Sequence, residues 1–529
     1  MAMMERPLVR ETAGGKCWEH TFDQFFLKVY VPDNDIDGQT NNYGFRAPLL
    51  LVFEEEKQGM DSAVDFARET GLAKIAANVD SSVLFVYPTA EGGWAGADES
   101  FYASVISEIK MIQTYKDGIV ENYDFFNRQF KGYFVRGAIF RADIYSFGAS
   151  ADYVAKNLLK TLQGEYLWGP GEITPAMCSM ERLSVLPDVQ RKDIPVLSVG
   201  NSDEINRAFD GCEHLLIKGR ADYEADFAAF VKHFKMWCGK IELEPDFKTL
   251  NMTEDSGCVV VNTSPDNWTI KDVKTHKVGY FAYYNNDLFD NGPVPLVLGF
   301  HGGGDSSMYL TFVAGWWEIC HRYGFLFVSV ENHQNVTATE AVEVIEALKK
   351  RYPVDEHRIY ATGFSMGSGK TWDCYQEYPD VFAGIMPASA LFPVYKTFWG
   401  GPATDRLNKT VPVPVFYSGG EESHLPELPF HSDTALERVQ YVAEVNQLKK
   451  FDGVSFEQKD SWEHPIWGIP GDKVEKIPDP SRGSTLTVHY YESEDGVIRT
   501  AFASVSGQIH ECRHHSCENA WKFISQFTR

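Results

Sequence analysis

The chain has 529 residues, 44% hydrophobic and 14% aromatic, which exceeds one comfortable core and supplies apolar surface for two. Acidic residues outnumber basic ones by 25 (74 − 49), a balance that repels nucleic acid and anionic lipid and argues against both as partners. Met1 to Pro7 contains no apolar leader core, no segment is long enough to cross a bilayer, and nine scattered cysteines suit a reducing compartment, so a cytoplasmic protein without a disulfide framework is expected.

In chain order, the first strong element is the apolar run Ala47 to Phe53, a buried-strand pattern that ends in Glu54-Glu55-Glu56-Lys57. Ile144 to Phe147 reads as another strand, followed by Gly148-Ala149-Ser150-Ala151-Asp152. Ile194 to Val199 and Leu215 to Ile217 follow as strands, and Phe227 to Lys235 as a helix. The stretch Gly239 to Phe247 reads as a junction, which divides the chain into residues 1–240 and 241–529.

The second half repeats the alternation of strands and helices, with Val294 to Phe300 and Phe325 to Val330 as strands and Ala341 to Lys350 as a helix. A mostly parallel, helix-covered sheet in each half is therefore expected, an α/β fold. Val294 to Phe300 empties into His301-Gly302-Gly303-Gly304-Asp305, where side-chain-free backbone lets N–H groups converge on one point. Further on, Gly363-Phe364-Ser365-Met366-Gly367 lies between the strand-like Arg358 to Thr362 and a helical stretch from Ser368 to Tyr378. This is the sequence form of a nucleophile elbow, with glycines where a Cβ would collide with the neighbouring strand or helix. Ser365 is the expected nucleophile, and the amides of Gly303 and Met366 the expected oxyanion donors.

An acid and a base should follow in that order. The strand Val411 to Tyr417 stops at Ser418-Gly419-Gly420-Glu421-Glu422, leaving Glu421 and Glu422 as adjacent acids. The last strand, Thr500 to Val505, is followed by Ser506-Gly507-Gln508-Ile509-His510, and His510 fits the base, with His514 and His515 nearer the final helix. His510, Cys512, His514, His515 and Cys517 are too irregularly spaced for a zinc site, and no metal or cofactor is expected.

The stretch Tyr352 to Gly367, with HGGG, the Gly-Gly-Glu-Glu turn and the terminal Gly-x-x-His-Glu, resembles the esterase families around polyhydroxybutyrate depolymerases and the feruloyl and acetylxylan esterases. The similarity runs over about residues 270–529. It implies an α/β-hydrolase fold and a serine hydrolase in which Ser365, His510 and an acid form a triad. Those families usually carry Asp where this chain offers Glu.

The first half reads as a degenerate copy of that second half. Ala47 to Phe53 parallels Val294 to Phe300, the segment around Ser150 parallels that around Ser365, and Ile194 to Asp203 lies over Val413 to Glu422 without a gap. That last match places Asp203 opposite Glu422 and favours Glu422 as the acid. Three glutamates replace the glycine loop, and the only nearby histidine, His214, precedes the strand it should follow. Two tandem α/β-hydrolase-like lobes follow, the N-terminal one catalytically silent and left for packing, self-association into a homo-oligomer, or covering the cleft.

For the substrate, Trp316, Trp317 and Trp399, and an insertion containing Trp462 and Trp467, place aromatic rings near the catalytic loops. The reading is a serine esterase acting on small-molecule or oligosaccharide esters, feruloyl or acetyl esters of plant-cell-wall oligosaccharides among them. A peptidase of the same fold and a non-catalytic carbohydrate-binding scaffold are its alternatives.

Overall fold

The computed structural model describes residues 8–34, 48–79, 81–114, 123–124, 129–130, 135–166, 169–230, 233–236, 240–243, 245–267, 273–303, 307–331, 336–391, 407–425, 427–449, 458, 461, 464 and 466–529. The chain divides into two compact units, Met1–Pro245 and Asp246–Arg529.

In the first unit, one sheet contains β1 (Arg10–Thr12), β2 (Gly15–Thr21), β3 (Phe25–Pro32), β4 (Pro48–Phe53), β5 (Val83–Pro88), β6 (Ala138–Phe147), β7 (Met177–Glu181), β8 (Val196–Val199) and β9 (Leu215–Lys218). Their order is β1-β2-β3-β5-β4-β6-β7-β8-β9. The pairs from β1 to β5 run antiparallel and those from β5 to β9 parallel. Its helices are α1 (Met60–Glu69), α2 (Leu72–Asn78), α3 (Phe101–Thr114), α4 (Ala149–Asn157), α5 (Asp203–Ala208) and α6 (Tyr223–Phe230). Every residue of β4 is buried, as expected of a strand covered on both faces.

The second unit contains β10 (Met252–Asn262), β11 (Thr275–Asn285), β12 (Val294–Phe300), β13 (Leu326–Val330), β14 (Val354–Phe364), β15 (Gly384–Ala388), β16 (Val415–Gly420), β17 (Lys473–Asp479), β18 (Ser484–Glu492) and β19 (Ile498–Val505). The order is β10-β11-β13-β12-β14-β15-β16-β19-β18-β17, with the strands from β13 to β19 parallel and both flanks antiparallel. The first eight positions of this order match β2 to β9 of the first unit strand for strand, and the order is that of an α/β-hydrolase. Helices α7 (Trp316–Tyr323), α8 (Ala338–Arg351), α9 (Met366–Glu377), α10 (Asp433–Val445) and α11 (His514–Ile524) accompany this sheet. Helix α8 starts at a full capping box: the Thr337 hydroxyl accepts from the Glu340 amide and the Glu340 carboxylate accepts from the Thr337 amide.

One expected element is shorter than its sequence pattern. The apolar run from Phe227 is helical only to Phe230, and His233–Met236 pairs antiparallel with Lys240–Leu243 as a hairpin at the junction. Short apolar runs do not distinguish strand from helix by periodicity.

Asp143, on β6, is buried, and desolvation pushes its carboxyl up to about 7 against the pull of Arg141. A folded-state pKa above the unfolded value of about 3.9 means that between the two the folded unit holds a proton the unfolded chain has released. The contribution of Asp143 to stability is therefore most favourable below about pH 4 and becomes less favourable as pH rises towards 7, by up to about 4 kcal/mol. Asp143→Asn should remove that slope. Urea midpoints are expected to rise at pH 8 relative to the native sequence and to stay close to it at pH 4.

Candidate active site

Ser365 occupies the single residue between β14 and α9, with φ 55° and ψ −115°. A positive φ is strained for a residue with a Cβ, and it turns the side chain out of the sheet edge. The turn is tight enough to specify its glycines. A Cβ on Gly363 would lie 2.1 Å from the Gly367 carbonyl oxygen, and one on Gly367 would lie 1.9 Å from the Phe300 carbonyl oxygen. The Ser365 amide donates to Ala388 O at 3.0 Å, which ties the elbow to the end of β15.

His510 lies on the loop that leaves β19, five positions after Val505 (510 − 505). Its Nε2 is 2.9 Å from Ser365 Oγ and its Nδ1 is 2.5 Å from Glu427 Oε1. A carboxylate only accepts, so Nδ1 carries the proton and Nε2 is left to accept from the serine hydroxyl. Glu427 is fully buried. The Gly420 amide donates to its Oε2 at 2.7 Å and the Ser423 hydroxyl donates to Oε1 at 2.6 Å. Both carboxylate oxygens are therefore held while the imidazole is oriented.

The acid facing His510 is thus Glu427 and not Glu422. Glu422 is exposed, and its amide donates to Gln508 O at 3.0 Å. Glu421 accepts from Ser504 Oγ at 2.7 Å. Beyond Gly420 the chain turns, with the Ser423 amide donating to Gly420 O at 3.4 Å. Glu427 returns beneath the loop, where its carbonyl accepts from Tyr417 OH at 2.6 Å. A carboxylate inside the apolar run Leu425-Pro426-Glu427-Leu428-Pro429-Phe430 was the available signal, because an acid in such surroundings is buried only when paired.

The glycine loop lies against the elbow. A Cβ on Gly302 would come within 2.9 Å of the Phe364 ring and 3.5 Å of Ser365 Cβ, and one on Gly303 within 2.1 Å of Met366 Sδ. The structure therefore brings Gly303 and Met366 together beside Ser365; Gly304 and Asp305 lie outside the described residues. His301 is buried, with Nδ1 2.9 Å from Gly302 O and Nε2 on Glu331 O. The Phe364 ring lies 4.9 Å from that of His510 and stacks on Tyr309 at 4.8 Å.

Trp316 and Trp467 are fully buried and stack on Phe327 and Phe502, so they pack the core instead of lining a cleft. Trp399 and Trp462 lie outside the described residues. Beside His510, the buried thiols of Cys512 and Cys517 are 3.4 Å apart. Among the described residues no three His, Cys, Asp or Glu side chains gather where a metal ion could sit.

The corresponding place in the first unit is built differently. The residue between β6 and α4 is Gly148, with φ 51° and ψ −116°, so Gly148 and not Ser150 stands where Ser365 stands. Ser150 is buried within α4, where its hydroxyl donates to Phe53 O at 2.6 Å and accepts from the Phe147 amide at 2.8 Å. A Cβ on Gly148 would lie 2.0 Å from Glu55 Oε1, so this carboxylate fills the space a nucleophile would need. Between β9 and α6 the chain reads Gly219-Arg220-Ala221-Asp222, without a histidine.

No protein-family model matches the chain. A curated relative, the bifunctional acetylxylan esterase/xylanase XynS20E of Neocallimastix patriciarum, is 22% identical over 257 residues, 47% of this chain and 33% of that protein. The chain resembles the acetylxylan esterases. It spans about a third of the length of that relative. Among solved structures, the acetyl xylan esterase from Aspergillus awamori is 14% identical, with a TM-score of 0.33, covering 51% of this chain and 99% of that one. The glucuronoyl esterase from Solibacter usitatus is 11% identical, with a TM-score of 0.33, covering 52% and 82%.

The described residues include no helix long and apolar enough to cross a membrane.

Proposed function

We propose that the second unit is a serine esterase that hydrolyses carboxylic esters, in particular feruloyl or acetyl esters of plant-cell-wall oligosaccharides, and that the first unit is catalytically silent. The observation that carries the chemistry is the unbroken chain from Glu427 Oε1 through His510 to Ser365 Oγ, with links of 2.5 and 2.9 Å. The substrate class is supported by the resemblance to acetylxylan esterases.

Ser365 Oγ attacks the ester carbonyl carbon as its proton passes to His510 Nε2. The imidazolium so formed is stabilised by the buried Glu427 carboxylate. The developing oxyanion is received by the amides of Gly303 and Met366, the latter the first residue of α9, where the aligned peptide dipoles favour negative charge. His510 then returns the proton to the alkoxy oxygen as the C–O bond breaks. The alcohol departs, and water, deprotonated by the same imidazole, cleaves the acyl-enzyme. In the first unit, carboxylates stand where negative charge would have to develop, which raises the barrier to such a step.

A fluorophosphonate probe should give one adduct, at Ser365, lost in Ser365→Ala. Methyl ferulate, acetylated xylo-oligosaccharide and a short hydroxyalkanoate ester should separate the substrates, with turnover of the first or second exceeding the third. A native chain that neither takes up the probe nor turns over any of the three would end this reading.

A further inference from the structure

Ser389 is the residue that follows β15, and its φ is 55°. In that left-handed backbone glycine is at ease and a residue with a Cβ is strained, so a serine there points to a use for its side chain. Ser389 is buried, and its hydroxyl donates to the Glu511 carbonyl at 2.7 Å. Glu511 is the residue after His510.

The two units together separate what the fold needs from what the site needs. At the same place in the first unit, Arg182 follows β7 with φ 57°. The backbone contacts match bond for bond. The Gly148 amide donates to Glu181 O at 2.9 Å where the Ser365 amide donates to Ala388 O at 3.0 Å. Likewise, the Arg182 amide donates to Val199 O at 3.2 Å where the Ser389 amide donates to Ser418 O at 2.8 Å. Left-handed backbone after this strand therefore belongs to the fold, and the side chain is what distinguishes the units. Arg182 is exposed and pairs with Glu55 at 2.5 Å, in a unit whose loop from Gly219 to Asp222 holds no histidine. Ser389 is turned instead to the loop that carries the base.

That loop is held on both sides of its histidine by Glu511. The Glu511 amide donates to Ile509 O at 2.9 Å, which closes a three-residue turn with His510 at its centre. The Glu511 carbonyl accepts from Ser389 Oγ and, at 3.0 Å, from Gln508 Nε2. Gln508 is part of the loop and moves with it. Ser389 is anchored at the end of β15, next to the carbonyl that holds the Ser365 amide, and further along the Cys512 amide donates to Tyr309 OH at 3.1 Å.

We infer, on the strength of Ser365 and His510 as nucleophile and base, that Ser389 is a positioning residue. Its hydroxyl ties the backbone beside His510 to the strand end that also holds the backbone of Ser365, so that base and nucleophile keep one separation while the proton passes between them. A displacement of the imidazole by a fraction of its hydrogen-bond length is enough to slow such a step.

Ser389→Gly removes the hydroxyl and suits the backbone, so it should be at least as stable to urea as Ser389→Ala. On methyl ferulate both variants should lose about 10–100-fold in kcat, with KM within about twofold of native. A readout that needs no turnover is the Nδ1 proton of His510 in protein labelled with ¹⁵N-histidine, assigned by its loss in His510→Gln. Its exchange with water should be at least about tenfold faster in Ser389→Gly than in the native chain. A native kcat in Ser389→Gly, a loss confined to KM, or unchanged Nδ1–H exchange would overturn the role of Ser389. A native chain that turns over no ester would instead end the esterase reading, and the exchange comparison would still decide whether Ser389 holds His510.

Discussion

Glu427→Gln is expected to lower kcat/KM on methyl ferulate by about 10³–10⁴-fold, the scale seen when a triad carboxylate becomes an amide. Glu422→Gln should leave it within twofold. The amide retains the volume of the carboxylate but offers an NH₂ group where His510 Nδ1–H needs an acceptor. The imidazole then adopts the other tautomer, with Nε2 protonated and unable to take the serine proton. The imidazolium also loses its counter-charge. Glu427 is fully buried and held by Gly420 and Ser423 at 2.7 and 2.6 Å, so the substitution disturbs a closed polar network as well as the His510 contact. Unfolding temperatures of both variants should accompany the rates, to separate lost chemistry from lost fold. Comparable losses from Glu422→Gln, or near-native rates from Glu427→Gln, would remove Glu427 from the mechanism.

The parts of the site that were legible in the sequence are those set by local backbone geometry. Gly363 and Gly367 announce the elbow because the fold leaves no room for a Cβ at either position, so residue type and spacing are fixed together. His510 was legible because it sits on a short loop after the last parallel strand, where chain order alone limits the choice. The acid was not. Its carboxylate reaches His510 from the far end of a loop whose path depends on tertiary contacts with Tyr417, Gly420 and Ser423, and the apolar run around Glu427 marks a paired acid without naming its partner. Matching the loop to Asp203 misled for a physical reason: Asp203 is the first residue of α5 in a unit whose corresponding loop, Gly219 to Asp222, offers no histidine to orient. The same holds for Ser150. The match by residue type chose a serine, whereas backbone torsions show that the turn is made by Gly148.

Gly367→Ala should destabilise the second unit by at least about 3 kcal/mol, the range reached when backbone is forced apart in a packed core, and should abolish labelling of Ser365 by a fluorophosphonate. The added methyl would sit 1.9 Å from the carbonyl oxygen of Phe300, at the end of the central strand β12. No flexible side chain is available to swing aside, so either β12 or α9 must shift, and any such shift moves Ser365 relative to the glycine loop. A useful contrast is Gly507→Ala on the loop before His510. Gly507 has φ 66° but nothing within 4 Å of an added Cβ, so the substitution meets only the left-handed backbone penalty, about 1 kcal/mol. Labelling should survive there. Urea unfolding of both variants tests the comparison directly: a Gly367→Ala protein as stable as Gly507→Ala would mean that the turn around Ser365 is looser than the contacts of Gly363 and Gly367 require, and the strained serine would lose its structural explanation.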